Sequence, residues 1–136
     1  MMVWLREWIT LPRWLQVMKY SIGKNLTAGV SNTILTVPTG YHAEVTMLFI
    51  SNIGGSTKAV SASWHDGSTI TFLGGKSVGA ADYVQFGGPL GSFLIMTEED
   101  YLTITPEAGS TFTCIMSFLL YPHQATNFTF WWLNWM

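Results

Sequence analysis

After a Pro38-Thr39-Gly40 turn the chain alternates in polarity. Tyr41, Ala43, Val45, Met47 and Phe49 fall on one face of an extended segment, and His42, Glu44 and Thr46 fall on the other. Proline fixes φ at the corner and glycine supplies the permissive conformation next to it. Past Thr46 the second face also turns apolar, at Leu48 and Ile50. The pattern predicts a long strand ending near Asn52, half-exposed in its first half and covered on both sides in its second.

The same period recurs on either side. Asn32 to Val37 reads as a short strand entering the turn. Ile53-Gly54-Gly55-Ser56 reads as a loop closing a hairpin. Lys58 to His65 puts Val60, Ala62 and Trp64 on one side, and Asp66-Gly67 is a tight-turn signal. Ser68 to Leu73 turns Ile70 and Phe72 inward, and Gly74-Gly75-Lys76-Ser77 reads as a loop. Tyr83 to Phe86 is a short strand, Gly87 to Gly91 a broad turn, and Phe93 to Met96 a further strand. Tyr101 to Thr105 alternates with Leu102 and Ile104 inward. Thr111 to Tyr121 is a second long strand, with Phe112, Cys114, Met116, Phe118 and Leu120 on one face. About eight strands separated by Gly and Pro turns predict an all-β chain, an antiparallel sandwich of jelly-roll type spanning 18–122. The two long strands are expected to be central, one in each sheet, facing each other across the core.

The two ends differ from this domain. In residues 1–17, Trp4, Trp8, Leu11 and Leu15 recur at helical spacing, with Arg6, Glu7, Arg13 and Gln16 off the stripe and Pro12 as a kink. The segment reads as a short amphipathic helix that anchors to a membrane surface or partner groove. It reads equally as a stripe packed on its own domain, or as sequence upstream of a start at Met18. Residues 123–136 carry Phe128, Phe130, Trp131, Trp132, Trp135 and Met136, and every tryptophan except Trp64 lies in one of these ends. Such an aromatic tail suits a partner's groove or folds back on its own chain.

Composition sharpens the picture. Of 136 residues, 49% are hydrophobic and only 10% charged, against about 25% charged in an ordinary soluble domain. That shortfall suggests surface that faces protein rather than water. The formal charge of −2, with scattered Lys and Arg, argues against nucleic acid as a partner. No stretch is long and apolar enough for a membrane-spanning helix, and no secretory signal is apparent, which places assembly in the cytoplasm. The lone Cys114 precludes an intrachain disulfide.

Candidate chemistry is sparse. Gly74-Gly75-Lys76-Ser77 resembles the end of a phosphate loop, but Ile70 stands where the first glycine is needed. His42, His65 and His123 are the potential imidazole ligands; His42 and His65 fall on outward faces without the close spacing of a metal site. Glu98-Glu99-Asp100 reads as a solvated acidic corner. No nucleophile elbow is present, and Cys114 lies on an inward face where a thiol is inert. No catalytic, cofactor or metal residue is assigned. The expected interface consists of Leu48, Ile50, Ile115 and Leu119 on the second faces of the long strands, with Trp131, Trp132 and Trp135 of the tail.

Asn25-Leu26-Thr27-Ala28, Thr36-Val37-Pro38-Thr39-Gly40-Tyr41 and Thr46-Met47-Leu48-Phe49-Ile50-Ser51-Asn52 form one set of motifs. Glu99-Asp100-Tyr101-Leu102-Thr103-Ile104-Thr105-Pro106-Glu107-Ala108-Gly109 is a second stretch. Together they resemble small β-sandwich virion proteins of tailed bacteriophages, of marine and cyanobacterial phages above all, over roughly Met18 to Pro122. The resemblance implies a particle component without catalysis, located in the virion and assembled in the host cytoplasm. It would decorate the capsid, serve at a tail fibre or attach to other virion proteins, as a homo-oligomer, with a trimer favoured. An alternative is a receptor- or carbohydrate-binding module of a tail fibre, with Tyr83 as one aromatic platform and Gly74–Ser77 and Gly87–Gly91 as binding loops. A glycan-degrading enzyme would need two acids facing across a cleft, and the sequence offers no such pair.

Overall fold

The computed structural model describes residues 17–88 and 91–123. The expected N-terminal helix and the aromatic tail with Trp131, Trp132 and Trp135 lie outside them. The described chain forms nine strands: β1 (Met18–Asn25), β2 (Asn32–Thr36), β3 (Tyr41–Asn52), β4 (Lys58–His65), β5 (Thr69–Val78), β6 (Tyr83–Gly87), β7 (Leu94–Met96), β8 (Tyr101–Pro106) and β9 (Phe112–Pro122). All pairings are antiparallel. One sheet runs β1-β9-β3-β6, with β7 also paired to β3; the other runs β2-β8-β4-β5. The chain crosses between the sheets repeatedly, the connectivity of a double-sheet jelly roll with β7 added before β8.

The core forms between the sheets. Val45, Leu48, Ile50, Met96, Phe112 and Met116 from the first sheet meet Ile34, Val60, Ala62, Leu102 and Ile104 from the second. Each large apolar side chain buried here contributes roughly 1.5–3 kcal/mol. The inward face of β9 follows the alternation: Phe112, Cys114, Met116, Phe118 and Leu120 are all buried.

Four expectations are corrected. The long strands do not face each other across the core. β3 and β9 lie side by side in one sheet, paired from Tyr41↔Pro122 to Asn52↔Phe112. Second, the alternation in β3 breaks. Its register with β9 shifts between Val45 and Met47, and Thr46 is the extra residue. A bulge of one residue exchanges the two faces of everything beyond it. Ala43 and Val45 point inward before it, and Leu48 and Ile50 after it, both with 0% exposure. Leu48 and Ile50 are therefore core residues, while Met47 and Phe49 emerge on the outside. Third, Gly74 to Ser77 is not a loop. β5 runs through it, and the glycines absorb the register shift between Val60 and Ala62, while Phe72 is the extra residue at a second shift between Ala62 and Ser63. Gly75 adopts φ 57° and its N–H donates to the Ser61 hydroxyl at 2.8 Å. Fourth, Ile53 to Ser56 closes no hairpin, because β3 and β4 lie in different sheets and the loop crosses between them. β1, which pairs along the full edge of β9, has no counterpart among the expected strands.

The acidic corner is solvated at Glu98 and Glu99, as expected, but it is also a clasp, and Asp100 is buried. Glu98 accepts the Gly40 N–H at 2.8 Å, and Glu99 accepts the Thr39 hydroxyl. Asp100, 7% exposed, accepts the Trp64 indole N–H at 3.2 Å and the Thr97 N–H at 2.9 Å. Backbone bonds join Val37 to Glu99 and Asp100. The two sequence stretches that carry the phage resemblance thus hold each other.

Candidate functional site

The outer face of the first sheet is unusual for its apolar content, and the bulge at Thr46 is what makes it so. Phe49 sits opposite Ile115 of β9, and its ring stacks on Tyr83 of β6 at 4.7 Å between centroids. Ile115 is 46% and Tyr83 53% exposed. Further along, Met47 lies opposite Ser117, whose hydroxyl is 3.2 Å from that of Ser21 on β1. Leu119 and Ile95 then flank Glu44 on either side, and Ile95 is 56% exposed. Glu44 is held in place by the Tyr121 and Ser92 hydroxyls, each donating at 3.2 Å. A shallow depression opens on the same face between Lys19, Ser21, Ser117 and Leu119, beside Gly88 and Gly91.

Of the residues expected to form an interface, Ile115 and Leu119 lie on this face. Leu48 and Ile50 do not, and Trp131, Trp132 and Trp135 lie outside the described residues. Phe49, Met47 and Ile95 occupy it instead. Strict alternation assigned Phe49 and Met47 to the core, and only the bulge brings them out. Ile95 was legible as the middle residue of a short apolar strand, but its outward direction depends on pairing with Glu44.

One end of the face carries a stack of rings. His42 lies parallel to Tyr121 at 4.9 Å and against His123 at 5.2 Å. Burial holds the His42 imidazole below the usual histidine range; a charge on His123 pushes the same way, and Glu44 opposes both. The unfolded chain therefore takes up the proton first. The contribution of His42 to stability is full above the ordinary histidine pKa of about 6.5 and declines as pH falls through and below it. The melting temperature is expected to drop between about pH 7 and pH 5, and less so in His42→Gln. Identical pH profiles for the two proteins would show that the stack is indifferent to protonation.

The three histidines do not converge. His65 stands on β4, in the other sheet from His42 and His123. Among the described residues no group of three His, Cys, Asp or Glu side chains is placed to hold a metal ion. Cys114 is 1% exposed, and burial pushes its thiol up despite Lys24 nearby. No described helix is long and apolar enough to cross a membrane.

No protein-family model and no curated protein matches the chain. Among solved structures, a chain from the disulfide-linked pili of Bacillus endospore appendages is similar at 12% identity with a TM-score of 0.50, over 78% of this chain and 88% of that one. A chain of the cyanophage Pam1 capsid asymmetric unit is similar at 13% identity with a TM-score of 0.42, over 79% and 84%. The pilus likeness bears on the fold alone, since one fold hosts many functions.

Proposed function

We propose that this chain is a non-catalytic structural subunit of a phage particle, a capsid decoration or accessory component. It joins other copies of itself through the outer face of the first sheet. The observation that carries the reading is the Ile115–Phe49–Tyr83 cluster, three apolar or aromatic side chains on adjacent strands of a face that covers no core of its own. Apolar residues scattered singly on a surface need no explanation; a contiguous patch on a flat sheet does. The low charge content fits a surface covered by neighbours. The virion assignment rests on the sequence resemblance, and the aromatic tail with Trp131, Trp132 and Trp135 is assigned to attachment to a neighbouring particle protein.

A trimer is the assembly proposed, which requires the face to meet a different patch on its neighbour; a self-complementary face would instead give a two-fold dimer. Light scattering of the full chain at micromolar concentration is expected to return a trimer mass. Ile115→Lys puts a charge at the centre of the patch and should yield monomer with an unchanged β-sheet circular dichroism spectrum. A monomeric parent protein, or an Ile115→Lys variant of unchanged mass, would remove this face from the assembly.

A further inference from the structure

The outer face of the second sheet has the opposite character. Two rows of side chains cross its strands. Thr33, Thr103, Ser63 and Thr71 form one, and Thr36, Tyr101, His65 and Thr69 form the other. Thr105 and Ser61 begin a third. These rows carry hydroxyls, one phenol and one imidazole, and no carboxylate, ammonium or guanidinium. The four strands make a platform about 14 Å wide at the usual spacing.

The hydroxyls are held in place. Ser63 and Thr71 hydroxyls are 3.0 Å apart. The His65 ring is fixed at both nitrogens, with Thr103 Oγ1 at 2.9 Å and Thr69 Oγ1 at 3.1 Å. Each hydroxyl offers one donor and two acceptor positions, so exposed Thr33, Thr71 and Thr105 and half-buried Ser63 keep hydrogen-bonding capacity, whereas Thr103, 6% exposed, serves to anchor His65. On the fixed imidazole lies the Tyr101 ring, parallel within 7° at 4.2 Å, and Tyr101 is 39% exposed. One face of the ring is thus backed, which costs little further ordering when something stacks on the other.

We propose that this face binds a neutral oligosaccharide, with one sugar ring stacked on the free face of Tyr101, beside Thr36 of β2, and the neighbouring sugars of the same chain bonded to Ser63, Thr71 and Thr105. The complementarity is specific in kind. An uncharged row of donor-acceptor groups has nothing to neutralise a phosphate or sulfate and nothing to repel a polyol. A pre-ordered aromatic ring supplies the apolar contact that a sugar's C–H face seeks. An apolar protein partner would leave the hydroxyl rows buried with unmet bonds, at a cost for each. The site is on the opposite side of the molecule's core from the assembly face, so the subunit would present it outward from a particle.

The test is titration calorimetry of the full chain with four neutral hexasaccharides, cello-, laminari-, chito- and maltohexaose, and with heparin hexasaccharide as the charged comparator. At least one neutral sugar is expected to bind with a dissociation constant in the micromolar to millimolar range, with heparin weaker. Tyr101→Ala should weaken binding at least tenfold and Thr71→Val several-fold. Tyr83→Ala and Ile115→Lys, on the other sheet, should leave it unchanged, which separates this proposal from the assembly reading. Circular dichroism checks the fold of each variant, and Thr71→Val, on the exposed edge strand, carries the test should Tyr101→Ala unfold. No binding of any neutral sugar at millimolar concentration overturns the proposal. So does preference for heparin, full binding by both Tyr101→Ala and Thr71→Val, or a change of oligomer mass in Tyr101→Ala, which would make the face a contact between copies.

Discussion

Gly87→Ala is expected to lower the free energy of unfolding by about 3–5 kcal/mol, a large share of the roughly 5–15 kcal/mol that holds a domain together. Two effects combine at this position. Gly87 closes β6 with φ 74°, a conformation that costs any residue with a Cβ. Its missing Cβ would also stand 2.2 Å from the Thr46 carbonyl oxygen and 3.2 Å from the Phe93 ring. The Thr46 carbonyl cannot retreat easily. It accepts the Gly88 N–H at 3.0 Å, and the Thr46 hydroxyl donates to the Ser117 carbonyl at 3.0 Å. Alanine at 87 therefore strikes the bulge that exchanges the faces of β3. Two further glycines separate the contributions. Gly40, at φ 87° with nothing near its Cβ position, isolates the backbone cost at about 1–2 kcal/mol. Gly23, without a positive φ and with open space around it, should be close to neutral. Urea denaturation of the three alanine variants is expected to rank them Gly87, Gly40, Gly23 from most to least damaged. Equal values for Gly87→Ala and Gly40→Ala would mean that the bulge yields to the methyl group at no cost.

Asn52→Leu is expected to cost about 3–5 kcal/mol by a different route, the stranding of buried polar groups. Asn52 ends β3 with 0% exposure. Its amide nitrogen donates to the Ser56 and Val78 carbonyls, both at 2.9 Å, and its oxygen accepts the Gly54 N–H at 3.0 Å. One side chain thus ties the β3–β4 loop to the end of β5 in the other sheet. Leucine fills much of the volume and is a good hydrophobe, but it leaves two acceptors and a donor without partners. The Val78 carbonyl is the most deeply buried of the three groups. Asn52→Asp gives a sharper readout. The Gly54 bond survives, but a carboxylate oxygen then faces two carbonyl oxygens, which raises the carboxyl pKa in the folded state. Stability of that variant is fully present below the unfolded aspartate pKa of about 3.9 and is lost as pH rises through the folded value. That is opposite in sense to the His42 effect in the parent. Chemical denaturation at acid and neutral pH distinguishes them, and a variant as stable as the parent at neutral pH would show that water enters to replace the amide.

Both positions matter to function through geometry rather than contact. Gly87 and Thr46 decide that Phe49, and not Leu48, reaches the outer face of the first sheet, the face proposed for assembly. Asn52 holds the crossover loop that leads from that sheet into β4, which carries Ser63 and His65 of the hydroxyl face. Loss of either is expected to reduce assembly in step with stability.

The all-β character, most strand positions and the inward face of β9 were legible in the residues themselves. Period-two alternation and Gly or Pro turns act over a few residues, and that is the distance over which a strand declares itself. β1 was not read from the residues: only Met18, Tyr20 and Ile22 alternate there, followed by the polar or small Gly23, Lys24 and Asn25. What the residues did not disclose was which strands become neighbours, because pairing joins positions far apart in the chain. β3 and β9 share a sheet instead of opposing each other for that reason. The apolar outer face of the first sheet was half-legible, through Ile115 and Leu119, and half-hidden, because a bulge shifts alternation without leaving a mark in the pattern it shifts. Thr46 is an ordinary strand residue until the Ser117 carbonyl and the Gly88 amide, both distant in sequence, fix it in place. Local polarity thus settled where the chain extends, and long-range hydrogen bonding settled which side of each ribbon meets water.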